Sequence, residues 1–167
     1  ETLCYIYHTR DGIKTNTIRP FNVFGPGMQE NDYRVLPNFA SRIKAGLPLN
    51  LYGSGLQTRT FSYITDAMVG FFLVVLKGVS GEAYNIGTPK PEVSMIDLVK
   101  TLQTISKREV TYNLIEYPPS YPAEEPMRRC PDIQKARLQL NFNPIVRLDD
   151  GLKRFIDWSN MAFTGEP

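Results

Sequence analysis

Arg19-Pro20-Phe21-Asn22-Val23-Phe24-Gly25-Pro26-Gly27 is the stretch on which the reading of the fold turns. It follows Thr15-Asn16-Thr17-Ile18, a β-branched run that reads as a strand, and it ends in a Gly-Pro-Gly turn. In an open α/β sheet, ligands sit just beyond the carboxyl ends of the strands. Asn22 falls at such a position, with an amide able to donate to a phosphate oxygen or a sugar hydroxyl. Taken alone, the stretch is read more readily as a strand-to-loop transition whose Asn caps a turn. The remainder of the chain decides between the two.

The 167 residues suffice for a domain with a real core. A hydrophobic fraction of 42% and a charged fraction of 22% are ordinary for a globular protein, and a formal charge of +2 is too small to argue for nucleic acid or an anionic membrane. Cys4 and Cys130 are far apart and form no C-x-x-C pair, so reduced thiols and a cytoplasmic setting are expected, with no metal site. His8 is the only histidine, which removes His-based triads and most metal sites. The longest apolar run, Met68 to Leu76, is interrupted by Gly70 and too short to span a bilayer. The chain opens on Glu1, with no Met and no signal-like segment, in sequence that already reads as helical; a fragment of a longer protein is expected.

Outward from the opening stretch, Glu1 to Arg10 places Leu3, Ile6 and Tyr7 on one helical face, with Asp11-Gly12 as the stop. Tyr33 to Ala45 reads as an amphipathic helix ended by Gly46. Leu49 to Tyr52 is a short strand, Gly53-Ser54-Gly55 a hairpin-like turn, and Arg59 to Ile64 a returning strand. The helix opened by Asp66 and running to Leu76 is apolar on nearly every side and is expected to be buried. Gly81 to Gly87 and Val110 to Ile115 read as strands. Between them, Ser94 with Asp97 resembles a capping box for a helix to Ser106, with Ile96, Val99, Leu102 and Ile105 inward. Tyr117 to Pro131, with five prolines, is a long stiffened loop in which the Glu124-Glu125 turn is solvated. A short helix capped by Asp132 and a final amphipathic helix over Leu148 to Phe163 complete an α/β layer arrangement.

Three features converge on an anionic ligand. Arg59 follows a glycine turn on a strand, where its guanidinium can grip a diphosphate bidentately. Arg128 and Arg129 lie in the proline-rich loop, placed to close over something negative, and Tyr52 can stack against a base. Each has a plainer reading, as strand-edge charge, solvated pair or core aromatic; together they fit one nucleotide diphosphate. No G-x-G-x-x-G fingerprint occurs, and no carboxylate pair stands at acid–base spacing.

RPFNVFGPG, then NDYRVLPNFASRIKAGLPLNLYGSGLQTRTFSYITDA, GEAYNIG and RRCPDIQKARLQL resemble the carboxyl-terminal half of extended short-chain dehydrogenases/reductases. These are the nucleotide-sugar epimerases, dehydratases and decarboxylases. The pattern is most similar to the UDP-glucuronic acid decarboxylase branch through NDYRVLPNF, GLQTRTF and RRCPDIQKA. The resemblance implies a Rossmann-like α/β fold: the last strands of a dinucleotide-binding domain interleaved with a small substrate-binding domain. It implies that Asn22 binds the sugar-nucleotide diphosphate, that Pro20 and Phe21 lie beside the nicotinamide ring, and that backbone amides at Val35 and Leu36 meet the diphosphate. It implies further that Tyr52 packs on the uracil and that Arg59 and Arg129 hold the diphosphate, Arg129 near the sugar carboxylate.

The same resemblance implies NAD as cofactor, held mainly by an amino-terminal half outside this sequence. The Tyr and Lys of a Y-x-x-x-K helix, a glycine-rich loop and a proton-transferring Ser/Thr are expected upstream, so no catalytic residue is expected in this chain. A UDP-sugar substrate and a homodimeric parent follow from the same likeness. The implied chemistry is C4 oxidation by NAD⁺, loss of carbon dioxide from the resulting β-keto acid, and reduction of the ketone. An epimerase or 4,6-dehydratase acting on a UDP-, CDP- or dTDP-sugar is the rival within the class; a non-catalytic nucleotide-binding module is the rival outside it.

Overall fold

A computed structural model describes residues 1–118 and 126–166. In chain order the elements are α1 (Thr2–Asp11), β1 (Thr17–Pro20), β2 (Val23–Phe24), α2 (Val35–Ala45), β3 (Leu49–Tyr52), β4 (Thr58–Arg59), β5 (Ser62–Tyr63), α3 (Ile64–Lys77), β6 (Ala83–Ile86), β7 (Val93–Ser94), α4 (Met95–Ser106), β8 (Tyr112–Ile115), β9 (Arg128–Arg129), α5 (Gln134–Leu140) and α6 (Leu148–Ala162). The chain alternates between two compact units. One comprises Glu1–Val23, Thr60–Pro91 and Cys130–Val146; the other comprises Phe24–Arg59, Glu92–Arg129 and Arg147–Pro167.

In the first unit, β1 and β6 run parallel, Thr17 opposite Ala83 and Pro20 opposite Ile86. Their strand is shifted two residues beyond Thr15–Ile18, because Phe21 N–H still donates to Ile86 O at 3.0 Å and the ladder persists into the Arg19-Pro20 stretch. Tyr84 and Ile86 of β6 pack with Val74, Ile133, Ala136, Leu140 and Phe142. Gly70 lets α3 approach this cluster: a Cβ there would stand 2.5 Å from Ile86 Cγ2 and 2.9 Å from Phe142 Cε2. The fully buried Tyr84 keeps its hydroxyl satisfied, donating to Gln139 Oε1 (2.8 Å) and accepting from Val79 N–H (3.0 Å). Buried Asp66, in the first turn of α3, accepts from the backbone N–H groups of Ile145 (3.1 Å) and Val146 (2.8 Å).

The all-round apolar composition of α3 does not translate into all-round burial. Only Asp66, Ala67, Gly70 and Val74 are buried, while Phe72, Val75 and Leu76 are exposed within this chain. Likewise no residue of α1 is buried, and Leu3, Ile6 and Tyr7 face outward.

In the second unit, β3 and β8 are parallel, Leu49 opposite Tyr112 and Tyr52 opposite Ile115. Helices α2 and α4 pack on β3 and α6 packs on both helices, with Leu36, Phe39, Leu98, Leu102, Leu152 and Phe155 buried. The Gly53–Gly55 turn therefore closes no hairpin: β3 pairs with a strand sixty residues downstream, and the stretch read as one returning strand divides into β4 and β5. Ser94 Oγ accepts from Asp97 N–H at 3.0 Å, the N-cap half of a capping box, and its hydroxyl donates to Asp97 Oδ2 at 2.7 Å. The buried stripe of α4 is Met95, Leu98, Val99 and Leu102, rotated from the expected one, because Ile96 lies over Gly55 instead, within 3.0 Å of where a Cβ would be. Lys44, near the end of α2, donates to Asn160 O (2.8 Å) and Phe163 O, meeting the open carbonyls at the end of α6. A third sheet has β4 at its centre, antiparallel to β7 and parallel to β9. Arg128 and Arg129, expected in a loop, are thus strand residues; residues 119–125 of the proline-rich segment, Glu124-Glu125 among them, lie outside the described residues.

Candidate functional site

In the first unit the carboxyl end of β1 presents Pro20 exposed and Phe21 half-buried. The chain then turns at Asn22, which has φ 41°, a left-handed conformation that Asn tolerates better than most side chains. The turn is braced from within. Asn22 Nδ2 donates to Thr60 O at 2.7 Å, Ser62 N–H donates to Asn22 O at 3.1 Å, and Ser62 Oγ accepts from Thr88 N–H at 2.7 Å. Gly87 closes the packing: a Cβ there would stand 2.8 Å from Phe21 Cβ. The buried hydroxyls of Thr60 and Thr88 have no hydrogen-bond partner among the described residues. Sequence reasoning singled out Pro20, Phe21 and Asn22 and missed Thr60, Ser62 and Thr88, which carry no local motif.

In the second unit the opening of α2 offers Val35, half-buried, and Leu36, buried. Among the described residues no side chain caps that terminus, and no acid stands in its first turn, which suits the N–H groups of Val35 and Leu36 to an anion. Asp32 is occupied beside it, accepting from Arg34 N–H (2.9 Å) and Arg34 Nε (2.7 Å), which holds its carboxyl below the ordinary value. Tyr52 ends β3 with its ring stacked on Tyr117, centroids 5.3 Å apart and planes 19° from parallel. Gly53 (φ 63°) makes room for this, since a Cβ would lie 3.0 Å from Tyr117 Cε2. Gln57 Nε2 donates to Tyr52 O (3.0 Å) and to Tyr117 Oη (3.4 Å), tying the aromatic pair to the residues that lead into β4. Tyr117 and Gln57 were not visible as site residues in the sequence.

Arg59 and Arg129 are brought together. They occupy one register position on the adjacent parallel strands β4 and β9, so their side chains leave the same face of that sheet. Arg59 is only 7% exposed, and its Nη1 donates to Thr58 O (2.8 Å) and Met127 O (3.5 Å); Arg129 is exposed. On the other face, Arg128 forms a fork onto Glu92, with Nε to Oε1 and Oε2 at 3.0 and 3.1 Å and Nη2 to Oε2 at 2.9 Å. Thr58 Oγ1 also donates to Glu92 Oε1, and these bonds, from Thr58 first and Arg128 second, hold the Glu92 carboxyl below its ordinary value. The sheet therefore carries the Glu92–Arg128 ion pair on one face and Arg59 with Arg129, in register, on the other. Among the described residues no cluster of three or more His, Cys, Asp or Glu is arranged to hold a metal, and no helix is long and apolar enough to cross a membrane.

Residues 1–87 match the model of the NAD dependent epimerase/dehydratase family. The chain is 36% identical over 160 residues to UDP-glucuronic acid decarboxylase 1 of Xenopus tropicalis, covering 95% of this chain and 36% of that protein. It is 36% identical over 152 residues to UDP-glucuronic acid decarboxylase 6 of Arabidopsis thaliana, covering 91% of this chain and 43% of that protein. The crystal structure of UDP-glucuronic acid 4-epimerase from Bacillus cereus, in complex with UDP-glucuronic acid and NAD, superposes with a TM-score of 0.87 at 31% identity, over 97% of this chain and 50% of that one. The mixed α/β fold is thus that of a Rossmann-like epimerase/dehydratase, and the chain spans less than half the length of these curated relatives.

Proposed function

Because the chain belongs to the NAD dependent epimerase/dehydratase family, we propose that it is the nucleotide-sugar-binding part of an NAD-dependent enzyme that decarboxylates UDP-glucuronate to UDP-xylose through a 4-keto intermediate. The observation that carries this reading is the in-register pair Arg59 and Arg129. Two guanidinium groups on neighbouring strands, with backbones about 4.8 Å apart, suit the adjoining phosphates of a nucleoside diphosphate. The N–H groups at Val35 and Leu36 add neutral donors of the same kind. Tyr52, stiffened by Tyr117, supplies an aromatic face for uracil.

In the first unit, one amide hydrogen of Asn22 is committed to Thr60, and this reading assigns the other to the substrate. Pro20 and Phe21 are assigned to the nicotinamide. The residues present fit that group: an apolar edge at the end of β1, in a unit that also buries the Thr60 and Thr88 hydroxyls with no partner among the described residues, suits a flat ring bearing a polar carboxamide. Bound NAD supplies the hydride acceptor, while the chain binds and orients. Dimerisation of the whole protein belongs to the same proposal, supported by apolar residues that α1 and α3 leave exposed, among them Leu3 and Leu76.

A second reading, 4-epimerisation of UDP-glucuronate, is favoured by the likeness to the Bacillus cereus enzyme; it shares the first oxidation and returns the hydride to the opposite face. The test is to incubate the full-length protein with NAD⁺ and UDP-glucuronate and follow the sugar nucleotide by mass spectrometry. A product lighter by carbon dioxide is expected. An unchanged mass at a shifted retention time replaces decarboxylation with epimerisation, and unconverted substrate overturns both.

A further inference from the structure

We propose that Glu92 is a positioning residue that fixes which of two adjacent arginines, Arg128 or Arg129, stands beside Arg59. The inference rests on the reading of Arg59 and Arg129 as a diphosphate clamp. Its starting point is an ambiguity in the sequence: Arg128 and Arg129 are chemically identical neighbours on a strand of two residues. Successive side chains on a strand point to opposite faces, so a slip of one residue exchanges them. A two-residue ladder leaves little backbone pairing to resist that slip; Thr58 N–H to Met127 O, at 2.8 Å, is the hydrogen bond that leads into it.

Glu92 resolves the ambiguity from the far side of the sheet. It immediately precedes β7, which pairs with one edge of β4, whereas β9 pairs with the other edge. Its carboxylate reaches across the central strand, takes the Thr58 hydroxyl on the way, and receives the Arg128 guanidinium as a fork. Thr58 and Arg128 share a register position, and so do Arg59 and Arg129. Fastening Arg128 to the Thr58 face therefore delivers Arg129 to the Arg59 face. A fork onto a carboxylate is directional as well as attractive, which is the property a register lock requires.

The sign of the effect separates this role from a simple electrostatic one. An acid near a phosphate site repels the ligand, so if Glu92 acted only through its charge, removing it would tighten UDP binding. A positioning role predicts the reverse. In the full-length protein, Glu92→Ala is expected to weaken binding of UDP, measured by titration calorimetry, by about tenfold. Its affinity for uridine, which lacks the diphosphate, is expected to stay unchanged. Glu92→Gln keeps one acceptor oxygen for Thr58 and Arg128 and should fall between Glu92→Ala and wild type. Because Glu92 and Arg128 act as one unit, Glu92→Ala with Arg128→Ala should lose no more than Glu92→Ala alone.

UDP affinity equal to or above wild type in Glu92→Ala overturns the proposal and leaves the clamp standing. A parallel loss of uridine affinity also overturns it, by revealing general damage. Should Glu92→Ala fail to fold, Glu92→Gln carries the test, and wild-type or tighter UDP binding in it is the overturning result. Wild-type protein that does not bind UDP removes the clamp reading and this assignment with it.

Discussion

The turn at the end of β1 and the sheet around β4 both gather candidate ligand-binding residues, but they are built on different principles. At the turn, neutral donors bond inward: Asn22 Nδ2 to Thr60 O, Ser62 N–H to Asn22 O, and Thr88 N–H to Ser62 Oγ. In the sheet, charged groups are sorted between two faces, with Glu92, Thr58 and Arg128 joined on one and Arg59 and Arg129 on the other. The first arrangement makes a candidate binding residue part of the fold. The second lets binding residues vary with less cost to stability. Substitutions should therefore damage different quantities in the two places.

The largest expected effect is at the turn. Asn22→Leu removes the bond to Thr60 and forces a branched side chain into a left-handed conformation. An unpaired part-buried carbonyl costs about 1–3 kcal/mol and the left-handed strain about 1–2 kcal/mol, so a loss of roughly 2–5 kcal/mol is expected in urea denaturation of the whole protein. Asn22→Gly removes the bond without the strain and should lose about half as much. Equal losses in the two variants would show that strain contributes nothing at this position.

The two clamp arginines allow a narrower comparison within the sheet. Arg59→Ala and Arg129→Ala should each weaken UDP binding by about 1.5–3 kcal/mol, the usual scale for a charge-assisted hydrogen bond, or roughly ten- to a hundredfold. Only Arg59→Ala should also lower the melting temperature. Its guanidinium is buried and donates to the carbonyls of Thr58 and Met127, whereas Arg129 is exposed, and changes at exposed positions usually stay within about 0.5 kcal/mol. Equal thermal losses would show that β9 depends on Arg129 for its own stability.

What the sequence made legible follows the same division between local and distant causes. The strand Leu49–Tyr52 and the Ser94 cap of α4 were readable because alternation and capping are complete within a few residues. The pairing of β3 was not, because the glycine turn that follows it is local whereas its partner β8 lies sixty residues away. The exposed face of α3 was missed because periodicity reports which residues could be buried, and Val75, 72% exposed, has no cover within this chain. At the site, Arg59 and Asn22 could be singled out by their motifs. Tyr117 and Gln57 could not, because their roles consist in stacking on Tyr52 and bonding to it from elsewhere in the sequence. That β9 is a strand was equally invisible, since two residues have no period.

The smallest expected effect concerns Glu30, which is braced by backbone donors as the β1 turn is, but through a charge. Its carboxylate accepts from Thr164 N–H (2.6 Å), Thr164 Oγ1 (2.9 Å), Gly165 N–H (2.6 Å), Glu166 N–H (3.2 Å) and Ser41 Oγ (2.7 Å), fastening the segment after α6. Burial acts to raise its pKa, but the donors, led by Thr164 N–H, outweigh it and lower the value from the ordinary 4.5 to about 2. A carboxyl whose folded value is depressed contributes its full stability above 4.5 and loses it as pH falls toward 2. Amide exchange at Thr164, Gly165 and Glu166 should therefore accelerate relative to the rest of the protein as pH is lowered through that window. The backbone carbonyl of Asn22, which accepts from Ser62 N–H, does not titrate and gives that N–H no such dependence, which supplies an internal reference. In Glu30→Gln the tail amides should be less protected near neutral pH, and the extra acid dependence should disappear. If the variant keeps the wild-type pH profile, the tail is held by contacts other than the Glu30 charge, and the turn and the tail are then braced in the same way.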